Sequence, residues 1–115
     1  MEARLKPDQA ITALSALAQE QRLALFRQLV QVGPEGMAAG ALADLLGVPN
    51  SSLSFHLAQL TGAGLIRQRR AGRSLIYSAD FGAMTALIDF LLDNCCEGAA
   101  CAPVVRSARC EEASA

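Results

Sequence analysis

Apolar positions over the first part of the chain recur at helical spacing. Pro7 and Asp8 suit a first helical turn, where proline's missing N–H costs nothing and a carboxylate meets the positive end of the helix dipole. Ile11, Leu14 and Leu17 then follow every three residues. A second helix carries Leu23, Phe26, Leu29 and Val30 and stops at Gly33–Pro34, and GPEGMAAG reads as a loop rich in helix breakers. A short helix from Ala41 to Leu46 is closed by Gly47. Val48 and Pro49 connect it to a further helix, capped by Asn50 or Ser51 and running to about Thr61, with Gly62 and Gly64 to end it. Two helices joined so tightly are a helix-turn-helix signal.

The period then changes. LIRQRR and SLIYSA are short strand-like runs, and the AGR between them reads as the turn of a hairpin. Helical spacing returns from Phe81 through Met84, Leu87, Ile88, Leu91 and Leu92, is expected to reach Asn94 and the cysteines beyond it, and has Gly98 as a stop. The predicted fold is therefore mainly α with a β-hairpin wing, a winged helix-turn-helix. Residues 1–97 form its one domain, and 98–115 a flexible tail that carries Cys101.

On the fourth helix, at about 100° per residue, Leu53, Leu57 and Leu60 share one stripe. Ser51 and Phe55 point the opposite way, Ser52 and Ser54 lie on the flanks, and His56 falls at the edge of the apolar stripe. Serine hydroxyls can bond bases or phosphates, and a phenyl ring can meet a thymine methyl. That face suits the major groove; the other reading is that Phe55 packs on a neighbouring loop. Arg67, Arg69, Arg70 and Arg73 add a local cluster of positive charge, with Arg73 beside the turn glycine Gly72 best placed to reach DNA. As the single histidine, His56 is either a ligand or, at the core edge, a structural donor that could serve a phosphate.

Composition narrows the class. The 115 residues fit one domain. The 52% hydrophobic content is too high for a disordered chain, and with 4% aromatics and no Trp the core must be aliphatic. A net charge of −1 means that any affinity for nucleic acid rests on local patches. MEARLKPDQA has no apolar run and MTALIDFLL is too short to span a bilayer, so a cytoplasmic location without a membrane partner is expected. In a reducing cytosol the four cysteines read as metal ligands or redox groups before disulfides.

The segment ALADLLGVPNSSLSFHLAQLTGAGLI, followed by RRAGRSLIYSA, resembles the ArsR/SmtB family of bacterial metal-responsive repressors, over roughly residues 10 to 96. The resemblance implies a homodimer built on the first and last helices and bound to two-fold symmetric operator double-stranded DNA. Ile11, Leu14, Leu17, Leu87, Phe90 and Leu91 would then lie at or near the interface. It also implies DNA contacts by Ser51, Ser52, Ser54, Phe55, His56 and Arg73. One sensor type in that family uses cysteines in the helix before the recognition helix, and AAGALADLLG has none. Another uses Asp and His along the last helix, and here Asp89 and Asp93 have no His beside them. What remains is NCCEGAAC, similar to the arsenic-responsive members with C-terminal cysteines, which implies Cys95, Cys96 and Cys101 as metal ligands.

Three thiolates without a histidine make a soft, sulfur-only site. Trivalent arsenic or antimony is satisfied by three sulfurs in a pyramid, whereas structural zinc wants four ligands. Cys110 would be the fourth only if the tail folded back. Adjacent helical side chains diverge by about 100°, so Cys95 and Cys96 converge on one ion only where the helix ends or deforms. The expected protein is a repressor released by arsenite or methylarsenite, and by antimonite as a related ligand, with no organic cofactor. A redox or persulfide sensor using Cys96 and Cys101, a zinc-responsive repressor and a thiol metal buffer stay open beside it. No enzyme is expected, since nothing in the chain suggests an activated nucleophile.

Overall fold

The computed structural model describes residues 5–93. Five helices and three strands follow one another as α1 (Pro7–Leu17), α2 (Glu20–Val32), β1 (Met37–Ala38), α3 (Ala39–Leu46), α4 (Asn50–Gly62), β2 (Ile66–Ala71), β3 (Ser74–Ala79) and α5 (Phe81–Leu92). The mainly helical winged helix-turn-helix is present.

Local chemistry sets the helix ends. Pro7 opens α1, and the Lys6 backbone N–H donates to Gln9 Oε1 at 2.9 Å. Gln19 Oε1 accepts from the Arg22 N–H at 2.9 Å to start α2, and Asp80 Oδ1 accepts from the Ala83 N–H at 3.0 Å to start α5. Each satisfies one of the donors that a helix start leaves unpaired. Gly47 closes α3 in the left-handed region, with φ 68°. Neither Asn50 nor Ser51 caps α4 from outside. Pro49 is the extended residue before it, and Asn50 is already helical. Proline is pre-set to end a connector, so the helix begins one residue sooner than its polar residues suggest.

Two other boundaries differ from expectation. The GPEGMAAG segment is not all loop: Met37 and Ala38 pair antiparallel with Tyr77 and Ile76, giving a three-stranded sheet of order β1-β3-β2. A two-residue strand has no period of its own, and its partner lies far along the chain. The wing turn is also tighter, because Ala71 pairs with Ser74 and leaves only Gly72 and Arg73 between the strands. Gly72 has φ 64°, as a two-residue hairpin turn requires. The last helix is described to Leu92, with Asp93 in extended backbone (φ −57°, ψ 129°), and its expected continuation to Asn94 and the cysteines lies outside the described residues. The expected domain limit at residue 97 lies outside the described residues.

The core is aliphatic. Leu25, Leu29, Leu42, Leu53, Leu60 and Leu65 are its largest fully buried side chains. Each contributes about 1.5–3 kcal/mol by leaving water. The burial of α1 runs opposite to its size pattern, since Ala10, Ala13 and Ala16 face inward while Ile11 (63% exposed) and Leu14 face out. Small side chains let α1 lie close to α2 and α4, and the larger ones are left on the outer side. Leu91 and Leu92 of α5 are exposed too, but Leu87, expected at an interface, is buried in the chain's own core. Leu17 and Phe90 are half-buried against that core.

Gly36 sits at φ 76°, and a Cβ there would collide with the Tyr77 carbonyl of β3. Gly36→Ala is therefore expected to destabilise the fold by on the order of 2 kcal/mol through strain and loss of the β1–β3 pairing. A urea titration at fixed protein concentration reads this as a lower midpoint.

Candidate nucleic-acid interface

The reading helix α4 contains no charged residue. Leu53, Leu57 and Leu60 are buried, and α4 packs against α1, α2, α3 and β2. Its opposite side is open. Ser51 and Ser54 are exposed, Ser52 is half-buried, and Phe55 is 57% exposed. Its ring meets that of His56, edge to face, at 5.8 Å between centroids. Three hydroxyls and one phenyl ring thus form a surface suited to base edges, thymine methyls and phosphates.

His56 lies elsewhere. It is 8% exposed, and both ring nitrogens are engaged. Nε2–H donates to Gln21 Oε1 at 2.8 Å, and Arg22 Nη1–H donates to Nδ1 at 3.4 Å. That pattern needs the neutral ring, protonated on Nε2 alone. Burial, and after it the Arg22 charge, lowers the imidazole's pKa from its ordinary 6.5. His56, expected at the core edge as a structural donor and a DNA contact, thus has both ring nitrogens bonded within the fold. Gln21 and Arg22 are the residues that sequence reasoning missed. They stand 35 and 34 positions from His56, so no local pattern could have paired them.

The wing divides its arginines. Arg67 Nε pairs with Asp80 Oδ2 at 3.2 Å, and Arg69 Nη2 donates to the Glu35 carbonyl at 3.0 Å. Arg70 and Arg73 are exposed and make no hydrogen bond or ion pair among the described residues. The four charges read together in the sequence are thus two braces and two free cations, and Arg73 is at the turn itself. Gln68 Nε2 donates to the Tyr77 hydroxyl at 2.7 Å across the hairpin, which stiffens it.

The expected metal ligands Cys95, Cys96 and Cys101 lie outside the described residues. Among the described residues there is no group of three or more His, Cys, Asp or Glu side chains able to hold a metal. Nor is any described helix long and apolar enough to cross a membrane.

A recognition helix with a polar outer face, held in a helix-turn-helix and flanked by a basic hairpin, defines a winged-helix DNA-binding transcriptional regulator. Comparison with known proteins agrees. The helix-turn-helix domain family matches residues 17–69. The chain is 38% identical over 80 residues to the nodulation protein NolR of Rhizobium meliloti, covering 70% of this chain and 63% of that protein's length. It is 33% identical over 89 residues to the HTH-type transcriptional regulator YgaV of Escherichia coli K12, covering 77% of this chain and 88% of that one. Among solved structures, it superposes with a TM-score of 0.60 and 27% identity on the homodimeric winged helix-turn-helix domain of Mb0332 from Mycobacterium bovis, over 84% of this chain and 89% of that one. The chain belongs to the ArsR/SmtB family of transcriptional regulators.

The split among the arginines can be measured on duplex DNA. Arg73→Gln is expected to reduce the slope of log K against log salt concentration by about 1, the loss of one phosphate contact. Arg69→Gln, which removes a side chain already spent on Glu35, is expected to change the slope by less than half as much.

Proposed function

We propose that the chain is a homodimeric repressor that binds operator DNA when empty and is released when trivalent arsenic binds Cys95, Cys96 and Cys101. The observation that carries this reading is the run NCCEGAAC, whose thiols begin just beyond the end of α5 at Leu92. Three soft thiolates and no histidine suit a pyramidal, thiophilic ion better than a tetrahedral one.

Pairing through α1 and α5 accounts for the apolar side chains that the chain leaves uncovered there, with Ile11 and Leu14 on one helix and Leu91 and Leu92 on the other. The homodimeric domain of Mb0332 is a precedent for this architecture. Two copies would present two α4 helices to half-sites about one helical turn, ~34 Å, apart. An ion bound beside the dimer helix changes how the copies meet and hence that spacing. A coupling free energy of about 1–3 kcal/mol between ion and DNA is enough for a 5- to 150-fold loss of affinity.

Fluorescence anisotropy of the reduced protein on its upstream promoter DNA tests this directly. Arsenite is expected to release the DNA at low stoichiometry, and Zn²⁺ is not. A Cys95→Ser, Cys96→Ser, Cys101→Ser variant is expected to bind DNA as before and ignore arsenite. Release of that variant by arsenite would overturn the assignment. Release of the wild type by oxidant or persulfide instead of arsenite would make the same cysteines a redox trigger.

A further inference from the structure

His56 follows directly after Phe55 on α4, yet it points into the fold and is tied to α2 by two hydrogen bonds. Gln21 and Arg22 reach it from the first turn of α2. Arg22 also donates through Nε to the Ala16 carbonyl at 2.7 Å, one of the carbonyls that the end of α1 leaves without a helical partner. One guanidinium therefore joins the last turn of α1, the start of α2 and the middle of the reading helix. A groove of about 390 Å³, lined by Ile11, Thr12, Ser15 and Gln59 among others, opens beside Arg22.

We propose that Gln21, His56 and Arg22 form a proton-sensitive latch that holds α4 in its DNA-reading position, with His56 as a positioning residue. This rests on α4 being the reading helix and is independent of which ligand the cysteines take. The latch needs a lone pair on Nδ1 to receive Arg22. A proton on Nδ1 removes that lone pair and sets two positive groups face to face. The guanidinium then has the groove and solvent to swing into, and α4 loses its tie to α1 and α2. Phe55, in ring contact with His56, moves with it.

Among the described residues, Arg22 is the charged group bonded to the ring. Of the elements packed against α4, α2 brings Gln21 and Arg22 to the ring and α1 brings the Ala16 carbonyl, by way of Arg22, while Glu20 and Arg27 of α2 and Asp8 of α1 are exposed and make no hydrogen bond or ion pair to it. Asp44 of α3 and Arg67, Arg69 and Arg70 of β2 are exposed and make no hydrogen bond or ion pair to it. The helix α4 itself carries no charge. The direction follows from linkage. The docked ring prefers to be neutral, so the undocked ring takes the proton first. The latch is complete above the ordinary imidazole value of 6.5 and is lost as pH falls from there toward the lowered value.

The test is operator affinity by fluorescence anisotropy from about pH 8 to about pH 5.5 at fixed salt, with circular dichroism confirming that the protein is folded at each pH. Wild-type affinity is expected to fall about tenfold on acidification, equivalent to about 1.4 kcal/mol. His56→Gln, whose neutral amide can serve both partners, is expected to give a flat profile. Gln21→Glu, at an exposed position, sets a carboxylate against Nε2–H, stabilises the charged ring in its docked place and is expected to shrink the loss of affinity on acidification. Wild-type affinity that rises on acidification, as added positive charge alone would cause, overturns the latch. So does a loss of affinity that Gln21→Glu leaves as large as in the wild type. A wild type that binds no DNA at pH 8 overturns the DNA-reading assignment itself, and the latch with it.

Discussion

Everything this protein presents to DNA depends on how one uncharged helix is seated. Helix α4 buries Leu53, Leu57 and Leu60 almost completely and leaves Ser51, Ser54 and Phe55 outside. Apolar burial is strong but non-directional, so it sets which side of α4 faces in better than how far the helix slides or turns. The directional part comes from His56, whose two nitrogens meet Gln21 and Arg22 at defined angles. A buried polar group with both partners in place specifies position, because any shift leaves a donor or acceptor unpaired.

The wing is seated by a similar division of labour. Asp80 uses one carboxylate oxygen to cap α5 and the other to hold Arg67 of β2. A single side chain thus joins the start of the last helix to the basic hairpin. The pair is largely exposed, so its energy is small, on the order of 0–1 kcal/mol, and its role is geometric. Arg69 anchors the hairpin on its other side through the Glu35 carbonyl. Because α4 has no charge of its own, long-range attraction to phosphates falls to the arginines that these braces leave free.

Much of this was legible in the order of residues. The alternation between helical spacing and strand-like runs marked every helix and both wing strands, since each is specified by side chains close along the chain. The outward direction of Phe55 and the serines followed from helix geometry alone. The short strand β1 did not, because two residues carry no period and their partner Tyr77 is 40 positions away from Met37. The role of α1 was only half visible. The spacing of Ile11, Leu14 and Leu17 marked a helix without showing which side faces inward, and the burial of Ala10, Ala13 and Ala16 shows that the small face packs within the chain.

By itself the sequence determined the winged helix-turn-helix and the polar outer face of α4, because these follow from spacing and from the chemistry of side chains close along the chain. Only the tertiary structure decided which residues were still free to act. It bonded both nitrogens of His56 within the fold, buried Leu87 in the chain's own core, and spent Arg67 and Arg69 on Asp80 and Glu35. The reason is the same in each case. A side chain's availability depends on partners that folding brings from distant positions, and no local pattern encodes them.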